Sequence, residues 1–352
     1  MKQRKGLLSI LIAGALALTA CGGTASASSS SAENSDSSFS SSSSSQAGTD
    51  SSSGPQENYV EVIQDATFQN GFGVKGNDQA TDGVLPLLNL KYGDDEPIWT
   101  VGQWGSRYDL SEQTPMISSG VVILRDQAKT LKVNRFQNKL SLGVSASLEY
   151  DTMEDSRVMW SHLLIEQEFP NFTSHRLNEF KRLDVTLDFN VTMANKGAIE
   201  TKDPDGSFPA PHTLPAQFLQ YFYVVNRNPE SAGYGSFLWF GLGYLDTRYE
   251  SLPLSYLQDH AGGNLGNYIY CVAAEDILGA GAFQRNHTYN VRMDILPHIK
   301  LALINAQEHG FMYNTKLEDC TITGMNLGWE VVGAWDVNAD VSNLSLKAIF
   351  ND

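Results

Sequence analysis

The sequence predicts an all-β protein: an antiparallel β-sandwich of jelly-roll type with one short helix near residues 297–309. Three observations predict it. From Tyr59 onward, runs rich in Val, Ile, Leu, Tyr and Phe recur between clusters of Gly, Asn, Asp and Pro, the pattern of short strands and turns. Several runs alternate apolar and polar residues, so each has one dry and one wet face. Nothing alternates strand with helix as a parallel sheet would, and no repeat of solenoid period is present.

Ahead of that region lie two segments of different character. Lys2, Arg4 and Lys5 precede an apolar run from Gly6 to Leu18, the layout of an export signal and too short for the ~20 apolar residues of a membrane span. Leu18-Thr19-Ala20-Cys21, followed by Gly22-Gly23, resembles a bacterial lipobox. That resemblance implies a signal over residues 1–21, with Cys21 lipid-modified and the exported protein anchored to the outer face of a bacterial cell membrane. Residues 22–56 are nearly all Ser with Ala, Gly and Thr; such composition buries no core and behaves as a flexible tether. Residues 57–352 then form the sandwich domain.

The chain carries 24 Lys and Arg against 40 Asp and Glu, a formal net charge of -16. That balance argues against nucleic acid as a partner, and solubility of an exported protein accounts for it equally well. Besides Cys21, only Cys271 and Cys320 are present. They either pair in an oxidising compartment or stand as two buried thiols.

In chain order, the spacing predicts strands near Tyr59–Phe68, Val84–Leu90, Ile98–Trp104, Ile117–Leu124, Thr130–Phe136, Lys139–Tyr150 and Trp160–Phe169. Further strands follow near Arg182–Met193, Phe218–Asn226, Phe237–Leu245, Tyr268–Ala273, Thr288–Leu296, Cys320–Val332 and Val341–Phe350. Arg182–Met193 puts Leu183, Val185, Leu187 and Phe189 on one face and Asp184, Thr186, Asp188 and Asn190 on the other. Trp160–Phe169 sets Leu163, Ile165, Gln167 and Phe169 opposite His162, Leu164, Glu166 and Glu168. The one helix spans Pro297–His309, with Pro in its first turn and Gly310 as its stop. The stretch Ala194–Ala216 is the longest irregular segment. Within it, Asp203-Pro204-Asp205-Gly206 reads as a tight turn, since the later ligands of a calcium loop are missing.

Motif absences narrow the chemistry. There is no HExxH, no metal-spaced Cys/His set, no GxxxxGK[ST], no GxGxxG and no GxSxG, so the reading includes no metal and no cofactor. Carboxylates and aromatics remain, the pairing that glycoside chemistry uses. Trp99, Trp104, Trp160, Tyr221, Tyr223, Trp239, Trp329 and Trp335 are the candidate platforms, and most of them equally fill a core.

Glu149-Tyr150-Asp151-Thr152-Met153-Glu154 has the spacing E-x-D-x-x-E. It resembles the catalytic strand of the laminarinase-like glycoside hydrolases in the concanavalin A-like jelly-roll superfamily. The resemblance implies Glu149 as nucleophile, Asp151 as its assistant and Glu154 as acid/base. Strand alternation places Glu149 and Glu154 on opposite faces unless a bulge intervenes. A second pair comes from the strands themselves: Glu166, on one face with Glu168, and Glu330, on one face with Asn326 and Gly328, could meet across a groove. The glycine-rich exits around Trp104 and Arg107, and around Asp246 and Arg248, would line such a groove with Trp160 and Trp239, or would be plain Asp–Arg turns. The sequence thus reads as an anchored jelly roll that binds or degrades polysaccharide, with a non-catalytic glycan-binding or structural envelope protein as the alternative.

Overall fold

The computed structural model describes residues 57–77, 87–151, 160–197, 214–259 and 267–351. The signal, lipobox and tether lie outside these residues, as do Glu154 and the turn at 203–206.

The described chain is built almost wholly of strands. They are β1 (Tyr59–Glu61), β2 (Gly71–Lys75), β3 (Leu87–Lys91), β4 (Trp99–Gly102), β5 (Met116–Ser118), β6 (Val121–Arg125), β7 (Lys129–Asn134) and β8 (Lys139–Ser145). There follow β9 (Ser161–Glu168), β10 (Phe180–Lys196), β11 (Ala216–Asn226), β12 (Phe237–Asp246), β13 (Ser255–Asp259) and β14 (Asn267–Val272). A one-turn helix α1 (Ala274–Leu278), β15 (Tyr289–Asp294), helix α2 (Leu296–Glu308), β16 (Cys320–Val331) and β17 (Trp335–Phe350) complete it.

Two sheets form. The eight-stranded sheet runs β15-β10-β17-β8-β7-β6-β5, with β1 also paired to β17; the nine-stranded sheet runs β13-β14-β12-β11-β16-β9-β4-β2-β3. Their apolar faces share one core, in which Leu183, Val185, Leu187 and Phe189 of β10 meet Phe218 and Phe222 of β11 and Met325, Leu327 and Trp329 of β16. The Trp329 indole donates across the layers to the Leu142 carbonyl at 3.0 Å. An all-β sandwich with the predicted alternation is therefore the observed fold.

Several details differ from the sequence expectation, each for a local reason. Tyr59–Phe68 is not one strand: β1 ends at Glu61, and a turn follows in which Asp65 (φ 44°) accepts from the Gln69 and Asn70 amides. Ile117–Leu124 is a hairpin, because Ser119 and Gly120 both take positive φ, as tight two-residue hairpin turns require. The nine-stranded sheet is mixed, since β2 pairs parallel with β4 and β12 parallel with β14. The helix α2 begins one residue before the predicted start, with Pro297 in its first turn. Cys271 and Cys320 are free and buried, and burial pushes their thiols up to about 11 and about 12. No helix among the described residues is long and apolar enough to cross a membrane.

Candidate functional site

The outer face of the nine-stranded sheet gathers the polar and aromatic side chains that the core leaves over. On β9 these are His162, Leu164, Glu166 and Glu168; on β16, opposite them in register, stand Glu330, Gly328, Asn326 and Gly324. Gln217, Leu219 and Tyr221 of β11 continue the rows, and Gly241 and Trp239 of β12 extend them toward β14. Glycine is needed at the centre. Gly328 has φ 152°, and a Cβ there would stand 2.3 Å from the Leu163 carbonyl of β9.

The middle of this face is only partly exposed. Tyr221, Tyr223 and Glu330 each keep an edge in solvent, yet burial dominates their titration and holds both phenols well above the usual range. Glu330 is pushed up to about 7, first by burial and then by the nearby Asp259 carboxylate. Desolvation disfavours the charged form, so Glu330 carries a proton in mildly acidic water. An aromatic cluster packs on one side, where Trp239, buried at 6% exposure, lies 4.9 Å from Tyr223, 5.6 Å from Tyr221 and 4.8 Å from Phe237. Its indole donates to Asp259 at 3.2 Å. Toward the other side, Trp104 stands edge-on to His162 at 5.8 Å and Trp160 lies 5.7 Å from the same ring.

Glu166 and Glu330 share this face but are not a close pair. Glu166 lies opposite Asn326 and Glu330 opposite His162, a four-residue offset worth roughly 13 Å at about 3.3 Å per residue. Glu166 is also engaged, ion-paired to Lys75 at 2.6 Å and within 3.4 Å of the Tyr223 hydroxyl. Glu168 is exposed at the end of β9 opposite Gly324. Asn326 is buried, and its Oδ1 has no partner among the described residues.

The described part of the E-x-D-x-x-E stretch, Glu149 to Asp151, sits elsewhere. Glu149 is fully buried beyond the end of β8, where it pairs with Lys129 at 2.8 Å and accepts from the Arg107 and Tyr108 amides. It faces no groove, because its carboxylate is consumed by the interior. Asp151 forms an exposed fork with Arg107 at 2.6 Å. Asp246 and Arg248 make a buried, bidentate turn pair at 2.6 Å, and Asp246 also takes a hydrogen bond from Gln217; Arg248 covers the Tyr249 ring. Trp99 and Trp329 fill the core, and the Trp335 indole donates to the Leu214 carbonyl. No cluster of three or more His, Cys, Asp or Glu able to hold a metal occurs among the described residues.

Sequence reasoning missed Lys75 and Asp259. Both lie on strands of five residues that it did not predict, and a lone charge on a short strand leaves no periodic signal.

No protein-family model matches the chain, nor does any curated protein. Among solved structures it is similar to the endoglucanase cel12A from Rhodothermus marinus, at 9% identity over 71% of this chain and 98% of that one, with a TM-score of 0.35. The family 12 xyloglucanase from Bacillus licheniformis gives 10% identity over 70% and 98%, with a TM-score of 0.39. A xyloglucanase domain of a Sinorhizobium fredii type three effector, in complex with cellobiose, gives 8% identity over 66% and 95%, at 0.33. The fold assignment stands on the strand order above.

Proposed function

We propose that this protein is an exported, lipid-anchored jelly roll that binds a polysaccharide along the outer face of its nine-stranded sheet, with Glu330 as proton donor. One observation carries the reading: a carboxyl held protonated to about pH 7 on the partly exposed outer face of a sheet, beside aromatic side chains. Cleaving a glycosidic bond needs an acid that still holds its proton near neutrality and delivers it to the leaving oxygen. A partly exposed aromatic face such as Trp104 gives a sugar ring flat apolar support, whereas Trp239, 6% exposed, packs behind the face. Asp259, whose charge reaches Glu330, is the better second carboxylate, since Glu166 is offset along the strands and tied to Lys75.

Incubation with a panel of neutral and acidic polysaccharides, scoring both retention and new reducing ends, tests this. New reducing ends should appear, should vanish in Glu330→Gln with retention kept, and should fall about tenfold per pH unit above 7 as the donor loses its proton. A second reading, capture without cleavage, is favoured by the occupancy of the other carboxylates: Glu166 is ion-paired, and Asp259 accepts from the Trp239 indole. Retention without any new reducing ends would sink the enzyme and leave that reading.

A further inference from the structure

A fully buried ion pair lies off the face that bears Glu330, at the start of β7 and just past the end of β8 in the eight-stranded sheet. Lys129 and Glu149 are fully buried and 2.8 Å apart, and Asp126 approaches the same ammonium at 2.9 Å. A buried ion pair of this kind adds little stability over apolar side chains of similar size. Its side-chain hydrogen bonds to the backbone run to one segment. Glu149 Oε2 accepts from the Arg107 amide at 2.6 Å and the Tyr108 amide at 3.3 Å, and Lys129 Nζ donates to the Tyr108 carbonyl at 2.7 Å.

That segment, Gln103–Leu110, is a strap leading away from β4. Its other anchors are also buried: the Gln103 amide donates to Asp109 at 2.6 Å and to the Lys75 carbonyl at 2.8 Å, and the Ser106 and Ser161 hydroxyls meet at 3.1 Å. Gly105 makes the turn at φ 61°. The strap's one large side chain on the outer face of the nine-stranded sheet is Trp104, which folds over Gly102, where a Cβ would stand 2.6 Å from its ring. The Trp104 carbonyl also accepts from the His162 amide at 2.9 Å, and His162 is the cross-strand neighbour of Glu330.

We propose that the buried Lys129–Glu149 pair is a positioning device, which fixes the strap so that Trp104 is held ready as a sugar platform beside His162 and Glu330. This rests on the glycan-binding reading above. Holding a ring in its bound orientation removes the ordering cost that binding would otherwise carry, so Lys129 and Glu149 act on ligand affinity through Trp104 without touching ligand.

The test replaces the pair by apolar side chains, Lys129→Met with Glu149→Leu, which deletes its three hydrogen bonds to the strap and leaves Asp126 without its ammonium. Thermal melting should fall, because the strap's backbone groups and Asp126 lose their partners; retention on the polysaccharide that the unaltered protein binds should weaken about tenfold, and trypsin should cut at Arg107 where the unaltered protein resists. Adding Trp104→Ala to the pair should weaken retention no further than Trp104→Ala alone, since both act on one contact. Unchanged retention by the double variant, or losses that add with Trp104→Ala, overturns the strap's role. Should the double variant fail to fold, Glu149→Gln, which keeps one acceptor oxygen, should give a smaller loss by the same measures, and unchanged retention there overturns the proposal equally. Absence of retention by the unaltered protein overturns the glycan-binding reading itself, and with it the platform.

Discussion

Glu330 titrates at about 7 against an ordinary 4.5, so the folded protein binds this proton more tightly than the unfolded chain does. Stability from this group is therefore greatest below about pH 4.5 and declines as pH rises toward 7, where the fold must hold a buried charge. The full difference is at most about 3 kcal/mol at pH 8, reduced by whatever screening its exposed edge receives. Glu330→Gln should accordingly melt alongside the unaltered protein near pH 4 and above it at pH 8; a gap that closes with rising pH would contradict the assignment. At this scale the sequence was informative about direction and silent about distance. Period-two alternation placed Glu166 and Glu330 on outer faces correctly. Their four-residue offset depends on how two strands far apart in the chain align, and no local pattern encodes that. Glu149 misled for the opposite reason: the spacing around it matched a motif, while its real partner, Lys129, lies on a preceding strand.

Among the elements, β16 bears the heaviest constraint, because it is paired on both sides and carries the central row of the sheet's outer face on one side and core residues on the other. Gly328 is its tightest point. Gly328→Ala would force a side chain against the β9 backbone at a φ that side chains rarely adopt, at a cost on the order of 2–4 kcal/mol. A urea titration should show the midpoint fall with the slope unchanged. Long alternating strands such as β9, β10 and β16 were legible in the sequence because each repeats its signal several times. The short ones were not: β2 reads as a glycine-flanked fragment, and β13 follows Pro253 with only five residues. The parallel pairing of β12 with β14 was equally hidden, since it requires a crossover through β13 that only the assembled sheet reveals.

For the molecule as a whole, a lipid-bearing amino terminus and a serine-rich spacer are proposals from composition and pattern. They predict that the protein stays with the membrane fraction of its cell, and that Cys21→Ser releases it to the soluble or medium fraction with the fold intact. Fractionation followed by immunodetection measures this directly, and membrane retention of the Cys21→Ser variant would refute the anchor. The large-scale architecture was the most legible level of all, since a recurrent alternation of apolar and polar residues leaves few packings other than face-to-face sheets.

The position of β1 gives that architecture an orientation. Tyr59 pairs with Ile349 and Glu61 with Lys347, so the chain enters the fold beside its own carboxyl-terminal strand, on the eight-stranded sheet. Glu330 and the aromatic side chains beside it occupy the outer face of the other sheet. Were the proposed anchor in place, the stalk would join at the sheet opposite Glu330, and the face that bears it would be turned away from the attachment.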